Sequence, residues 1–267
     1  MLGKLLKYEI KATARVFMPL YAVLMVFAAI NRLISMLSVQ KWQAPEIISM
    51  ILYIMVLAGI FVVAFVVMIQ RFYKNLLSDE GYLMFTLPAK GWKHIASKLV
   101  VAMMWIAVSG IAAIVSILVN GYDRFLTADF MQSVADSIRE FFVFFGASSA
   151  LVILEVLLIL VIGLASSVLL IYVSIALGHL FNRHRILGSL GAFIVVSTVT
   201  QILFAVITYM TGDIGLSMVD ANTPNDFFQH QAFLHYTMWF CIIFFGLLSA
   251  GYFALTNYIL SRRLNLE

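Results

Sequence analysis

An all-α integral membrane protein with six transmembrane helices is what this sequence predicts, and three observations carry the expectation. Of its 267 residues 63% are hydrophobic and 11% charged, and the mean hydropathy is +1.03, whereas apolar residues make up about half of a soluble domain. Six runs approach or exceed the roughly 20 predominantly apolar residues that a helix needs to cross the hydrocarbon core: 16–37, 47–69, 99–119, 148–178, 187–210 and 234–260. The cations between these runs alternate in abundance. With the N-terminus inside, thirteen Lys and Arg fall on the inner segments (Lys4 to Arg15, Arg71 to Lys98, Arg183 and Arg185, Arg262 and Arg263). Only Lys41, Arg124 and Arg139 fall on the outer loops, a bias that orients both termini toward the cytoplasm.

The whole chain therefore reads as one transmembrane domain of a plasma-membrane protein. The first run is too long for a signal-peptide core and has no small-residue cleavage site after it, so it is expected to be retained. A single cysteine, Cys241, excludes an intramolecular disulfide. The basic balance, pI about 9.2, is spread over the loops rather than gathered into a nucleic-acid-binding face.

Residues 1–15 predict an amphipathic interfacial helix. Lys4, Lys7, Lys11 and Arg15 recur at three- and four-residue steps opposite Leu2, Leu5, Leu6 and Val16, a pattern suited to anionic headgroups. Glu9 interrupts the apolar face. Either it snorkels or pairs with a neighbouring lysine, or it meets a basic group on the segment after the second span or on a partner. Pro19 lacks the N–H that would bond the Arg15 carbonyl, so a bend is expected there.

The segment 70–98 is the longest inner connection. Asp79 and Glu80 suit the start of a short helix, followed by Tyr82, Leu83, Met84 and Phe85 and ended before Pro88; a further helix starts near Gly91. An interfacial loop with aromatics among the headgroups is the plainer alternative. The fourth run, preceded by Phe141 to Phe145, has room for an interfacial or re-entrant piece before the span. Phe125, Phe130, Phe227 and Phe228 suggest short interfacial helices on the outer side.

Within the membrane, Glu155 is the one acid deep in an apolar run, and a charge there is costly enough to mark a pathway or a paired site. Arg32, near the outer end of the first span, is a candidate partner, so Glu155 and Arg32 are the possible substrate-path residues. Clusters of small residues, such as Gly188, Ser189 and Gly191, suit close helix packing. No G-x-x-x-x-G-K-[ST] string occurs, so the chain has no P-loop of its own. No group of His, Cys or acids has metal-ligand spacing. An intramembrane enzyme would rest on Glu155 and scattered histidines alone.

The succession from Arg71 to Pro88, RFYKNLLSDEGYLMFTLP, behind a lysine-rich amphipathic N-terminus, resembles the permease subunits of ABC transporters of the type-2 permease class, in particular small six-span forms of Gram-positive bacteria. The resemblance covers the whole chain in topology, while its sequence-specific part lies in residues 1–15 and 70–98. It implies that Asp79, Glu80, Gly81, Tyr82, Leu83 and Phe85 form a cytoplasmic coupling helix between the second and third spans that docks on a separate ATPase subunit. It also implies a second permease subunit, identical or related, with ATP and Mg held by the ATPase and no catalytic residue or cofactor on this chain. The expected activity is ATP-driven export of a hydrophobic or amphiphilic substrate such as a drug, an antimicrobial peptide or a lipid. The alternative is a scaffold or sensor of an immunity complex that binds peptide and recruits a partner without moving cargo.

Overall fold

In a computed structural model, residues 2–37, 44–76, 91–122, 127–181, 184–217 and 227–262 are described, and they are almost wholly helical. The helices are α1 (Leu2–Leu37), α2 (Ala44–Leu76), α3 (Gly91–Asn120), α4 (Ala128–Phe145), α5 (Ser149–Gly178), α6 (Arg185–Ser217) and α7 (Phe227–Arg262), with a 3-10 turn at Gly146–Ser148. Among the described residues six stretches are long and apolar enough to cross a membrane, which makes the chain a multi-pass membrane protein. Residues 77–90 lie outside the described residues, and with them all six residues of the expected coupling helix.

The helices extend beyond the apolar runs that announce them. The third span, expected over 99–119, is the core of a helix that starts at Gly91, where the sequence placed a helix start, so Trp92 to Lys98 belong to α3. Helix α1 is continuous from Leu2 to Leu37 with Pro19 inside it, so the interfacial segment and the first span are one element. A proline removes one backbone bond and leaves the ladder on either side intact, and membrane helices accommodate it. The fourth run, 148–178, is the single helix α5, and Phe141 to Phe145 before it belong to a separate helix, α4. Thr127 caps α4, its Oγ1 accepting from the Phe130 N–H at 3.3 Å, and α4 buries none of its side chains. It is separated from α5 by Gly146 at φ +49, a left-handed conformation that favours glycine.

The chain divides into two compact units, residues 1–72 with 93–138 and residues 73–92 with 139–267. In the first, α1 and α3 run parallel and α2 runs against both, as three successive passes of a membrane require. The register is readable from the side chains: Glu9 meets Lys98 and Arg71 at one end, and Asn31 meets Asn120 and Ser49 at the other. Between these two layers each helix advances 22 residues, about 33 Å at the α-helical rise, close to the roughly 30 Å of a hydrocarbon core. Two apolar clusters fill the interval, Phe17, Ala64, Val101 and Trp105 toward the Glu9 end and Leu24, Ala28, Tyr53, Ile60 and Ala112 toward the Asn31 end.

In the second unit α5 is central, and both α6 and α7 pack on it. Residues 172–176 of α5 are buried consecutively, the mark of a helix covered on every side. The approach of α6 to α5 is set by glycine. A Cβ on Gly178 would stand 2.0 Å from Ser189 Oγ and 2.3 Å from its backbone nitrogen, so only glycine lets the two helices meet there.

Candidate functional site

The first candidate site is the ion cluster where α1 and α3 begin and α2 ends. Glu9 Oε1 accepts from Lys98 Nζ at 2.7 Å, and Glu9 Oε2 lies 3.8 Å from Arg71 Nη1. The Lys98 side chain is 4% exposed and that of Glu9 12%, so the contact is enclosed by the three helices. Arg71 and Lys98 flank residues 77–90 on either side in the chain. One carboxylate on α1 thus holds both helices from which that segment springs. Sequence periodicity placed Glu9 on the apolar side of α1, and the geometry shows why an acid is tolerated there: the buried face is where the two cations arrive.

Lys4, Lys7, Lys11 and Arg15 are exposed along the remainder of α1, on the side suited to anionic headgroups. Below Glu9 the α1–α3 contact continues as a column of satisfied polar groups. Trp105 Nε1 donates to Thr13 Oγ1 at 2.7 Å, Thr13 Oγ1 in turn donates to the Glu9 carbonyl at 2.7 Å, and the Tyr21 hydroxyl meets Ser109 Oγ at 2.8 Å. Phe17 stacks on Trp105 with centroids 4.5 Å apart and planes 10° from parallel. In lipid an unmade hydrogen bond finds no water to replace it, so these pairs fix the register between two otherwise greasy surfaces. Trp105→Phe keeps the stack and removes the Thr13 bond. The expected loss is about 1 kcal/mol, the usual net worth of one buried hydrogen bond, read as a lower unfolding midpoint in detergent; an unchanged midpoint would show the bond to be incidental.

At the opposite end of the first unit, Arg32 Nη1 donates to the Val119 carbonyl at 3.3 Å, and its guanidinium lies 4.1 Å over the Tyr122 ring. Contacts of this kind hold a long cation at a membrane boundary.

In the second unit Glu155 meets His235 of α7. The Glu155 carboxylate, in a residue 3% exposed, sits 2.9 and 2.8 Å from His235 Nδ1 through its two oxygens. At these distances the carboxyl and the imidazole share one proton in a hydrogen bond. The packing of α5 along α7 brings the imidazole to the carboxylate. One turn before His235, Gln231 Nε2 donates to the Phe144 carbonyl at 2.8 Å, and Tyr236 OH donates to the Thr211 carbonyl at 3.2 Å. His235 was missed by sequence reading. Its only local signal is the i, i+4 spacing to Gln231 at the start of an apolar run.

At the other end of this unit, His179 follows the last residue of α5, and its ring lies 5.1 Å from that of Tyr73. Burial holds its imidazole below the usual histidine range, and the Arg185 charge adds to the effect. The ring is thereby kept uncharged at neutral pH. No group of three or more His, Cys, Asp or Glu among the described residues is arranged to hold a metal ion. In comparisons with known proteins the chain matches no family model, no curated protein and no solved structure.

Proposed function

We propose that this chain is the membrane-spanning permease subunit of an ABC transporter of the type-2 permease class, seated in the plasma membrane with both termini in the cytoplasm. It works with a second permease subunit and with separate ATPase subunits that hold ATP and Mg. The observation that carries the reading is the Glu9 clamp. A device that converts ATPase closure into helix movement needs its docking segment mechanically tied to the spans, and the carboxylate of Glu9 joins α1 to the helices before and after residues 77–90. Those residues, Asp79, Glu80, Gly81, Tyr82, Leu83 and Phe85 among them, supply the acidic and aromatic groups that fill a groove and pair with a basic rim. The exported cargo is hydrophobic or amphiphilic, in keeping with walls of Phe, Met, Leu and Ile.

The test is affinity capture from native membranes in mild detergent through a tag after Glu267, comparing the wild type with a Glu80→Ala, Tyr82→Ala double substitution. A Walker-motif ATPase is expected with the wild type and lost with the double variant. If the variant retains the ATPase in full, residues 79–85 are an interfacial anchor rather than the coupling element. If the wild type captures none, a non-transporting scaffold that recruits a partner becomes the better reading.

A further inference from the structure

His179 and Tyr73 meet where two helices end. The imidazole follows the last residue of α5, and its ring lies 5.1 Å from that of Tyr73, in the last turn of α2, with the planes 50° apart. Three residues after Tyr73, Leu76 is fully buried, and residues 77–90 follow directly. From Tyr73 onward this turn belongs to the same compact unit as α5, so the contact is internal to the second unit. The His179 side of it is fixed. Its backbone N–H donates to the Ile175 carbonyl at 3.1 Å, and the preceding Gly178 lies so close to α6 that a Cβ there would stand 2.4 Å from Ser189 Cα. Any yielding at this contact is therefore by the last turn of α2.

The packed ring has no place for a charge. Its Nε2 is enclosed and meets no hydrogen-bond partner among the described residues. In the imidazolium both nitrogens carry a proton, so the Nε2–H of the cation has neither water nor an acceptor, and that is costly. The charge that acts on the ring is Arg185 of α6, which adds to burial in opposing the cation. Lys74 beside Tyr73 and His184 before α6 are exposed. Among the described acids of this unit, Glu140, Glu155 and Asp213 are all carried at the other end of its helices, and Arg183, Asp79 and Glu80 lie outside the described residues.

We infer that this contact is a pH-operated latch: acidification on its side of the membrane charges His179 and frees the last turn of α2 from α5. Once the turn has moved away, water reaches the ring, which then titrates near the ordinary histidine value of about 6.5. Packed, the ring takes up its proton only at lower pH, because burial and Arg185 oppose it. The packed form thus binds fewer protons wherever the two forms differ. Its advantage is complete above about pH 6.5 and is lost as the pH falls below that value, by up to about tenfold for each pH unit, until the packed ring itself protonates. With residues 77–90 as the segment that docks on the ATPase, release of their α2 root uncouples transport in an acidified cytoplasm. That consequence rests on the proposed function, whereas the latch is measured on the chain alone and stands or falls without the ATPase.

The test is amide hydrogen exchange of the full chain in lipid nanodiscs, read on the last turn of α2 and corrected for the intrinsic pH dependence of the exchange chemistry. Between about pH 7.5 and about pH 5.5, protection of this turn in the wild type is expected to fall about tenfold. His179→Gln, which does not titrate, should show one level of protection at both. Arg185→Gln keeps the histidine and removes the charge that opposes its protonation, so its loss of protection should be smaller than that of the wild type. Where His179→Gln does not fold, Arg185→Gln decides alone, and a loss equal to that of the wild type overturns the latch. Wild-type protection that is the same at both pH values overturns it as well. So does an undiminished loss in His179→Gln, which would assign the response to another group such as His94, and so does a rise in wild-type protection on acidification, which would mean that an acid of residues 77–90 receives the charged ring.

Discussion

Glu9→Gln is expected to lower the stability of the first unit by about 3 kcal/mol, the lower end of what removing one partner of a buried ion pair costs. The substitution takes away the carboxylate 2.7 Å from an ammonium whose side chain is 4% exposed, and a neutral amide does not replace its charge. Lys98→Met should cost less, because the remaining carboxylate still has Arg71 3.8 Å away on a side chain that is 32% exposed. The double substitution Glu9→Gln, Lys98→Met should recover more than half of the Glu9→Gln loss, since it removes both buried charges together. Unfolding midpoints of the four proteins in one detergent form the cycle, and a coupling near zero would mean that the cluster does not hold the bundle end. A second readout separates stability from transmission. At a temperature where all four proteins remain folded, stimulation of the captured ATPase should fall in Glu9→Gln, because the helices flanking residues 77–90 are no longer tied to α1.

The membrane class was legible because lipid imposes one demand on every pass: each span must be a helix of about 20 apolar residues. The six runs therefore reappear as α1, α2, α3, α5, α6 and α7. Their ends were less legible. Helices continue beyond the apolar runs on polar residues; the start of α3 at Gly91 was read from the sequence although apolarity begins only at Leu99, whereas α2 runs on to Leu76 beyond its expected end at 69. Pro19 suggested a bend between two pieces, and helix α1 runs through it because the bonds on either side persist. The break at Gly146 lies just before the fourth run, where the sequence showed only that the apolar Phe141 to Phe145 precede the span.

The candidate sites divide in the same way. Glu9 could be singled out locally, as an acid on an apolar face, whereas its partners could not be fixed, since Lys98 is 89 residues away in the chain. Glu155 announced itself by charge, yet its partner is 80 residues distant and was sought at Arg32. Periodicity reports which side of a helix a residue occupies. It does not report what arrives opposite, and that is decided by the pairing of α1 with α3 and of α5 with α7.

His235→Leu is expected to destabilise the second unit by about 3 kcal/mol, because it leaves the Glu155 carboxyl in a protein interior at membrane depth without the imidazole that holds both its oxygens. Glu155→Gln should cost about 1 kcal/mol, since the amide oxygen still accepts from Nδ1 and only the charge and the second contact are lost. The double Glu155→Leu, His235→Leu protein should approach the wild type or exceed it, as replacing a whole buried pair by apolar side chains often does. If His235→Leu instead unfolds at the wild-type temperature, the pair contributes nothing to the fold and the carboxyl is held by other means. The same series decides whether Glu155 lies on a path for cargo. A purely structural pair predicts that Glu155→Gln, folded and assembled with its ATPase, retains the substrate-stimulated ATP hydrolysis of the wild type. Loss of that stimulation in a protein that unfolds within a few degrees of the wild type would place the carboxylate in contact with the cargo, and His235, its side chain 24% exposed beside it, would then be the next residue to substitute.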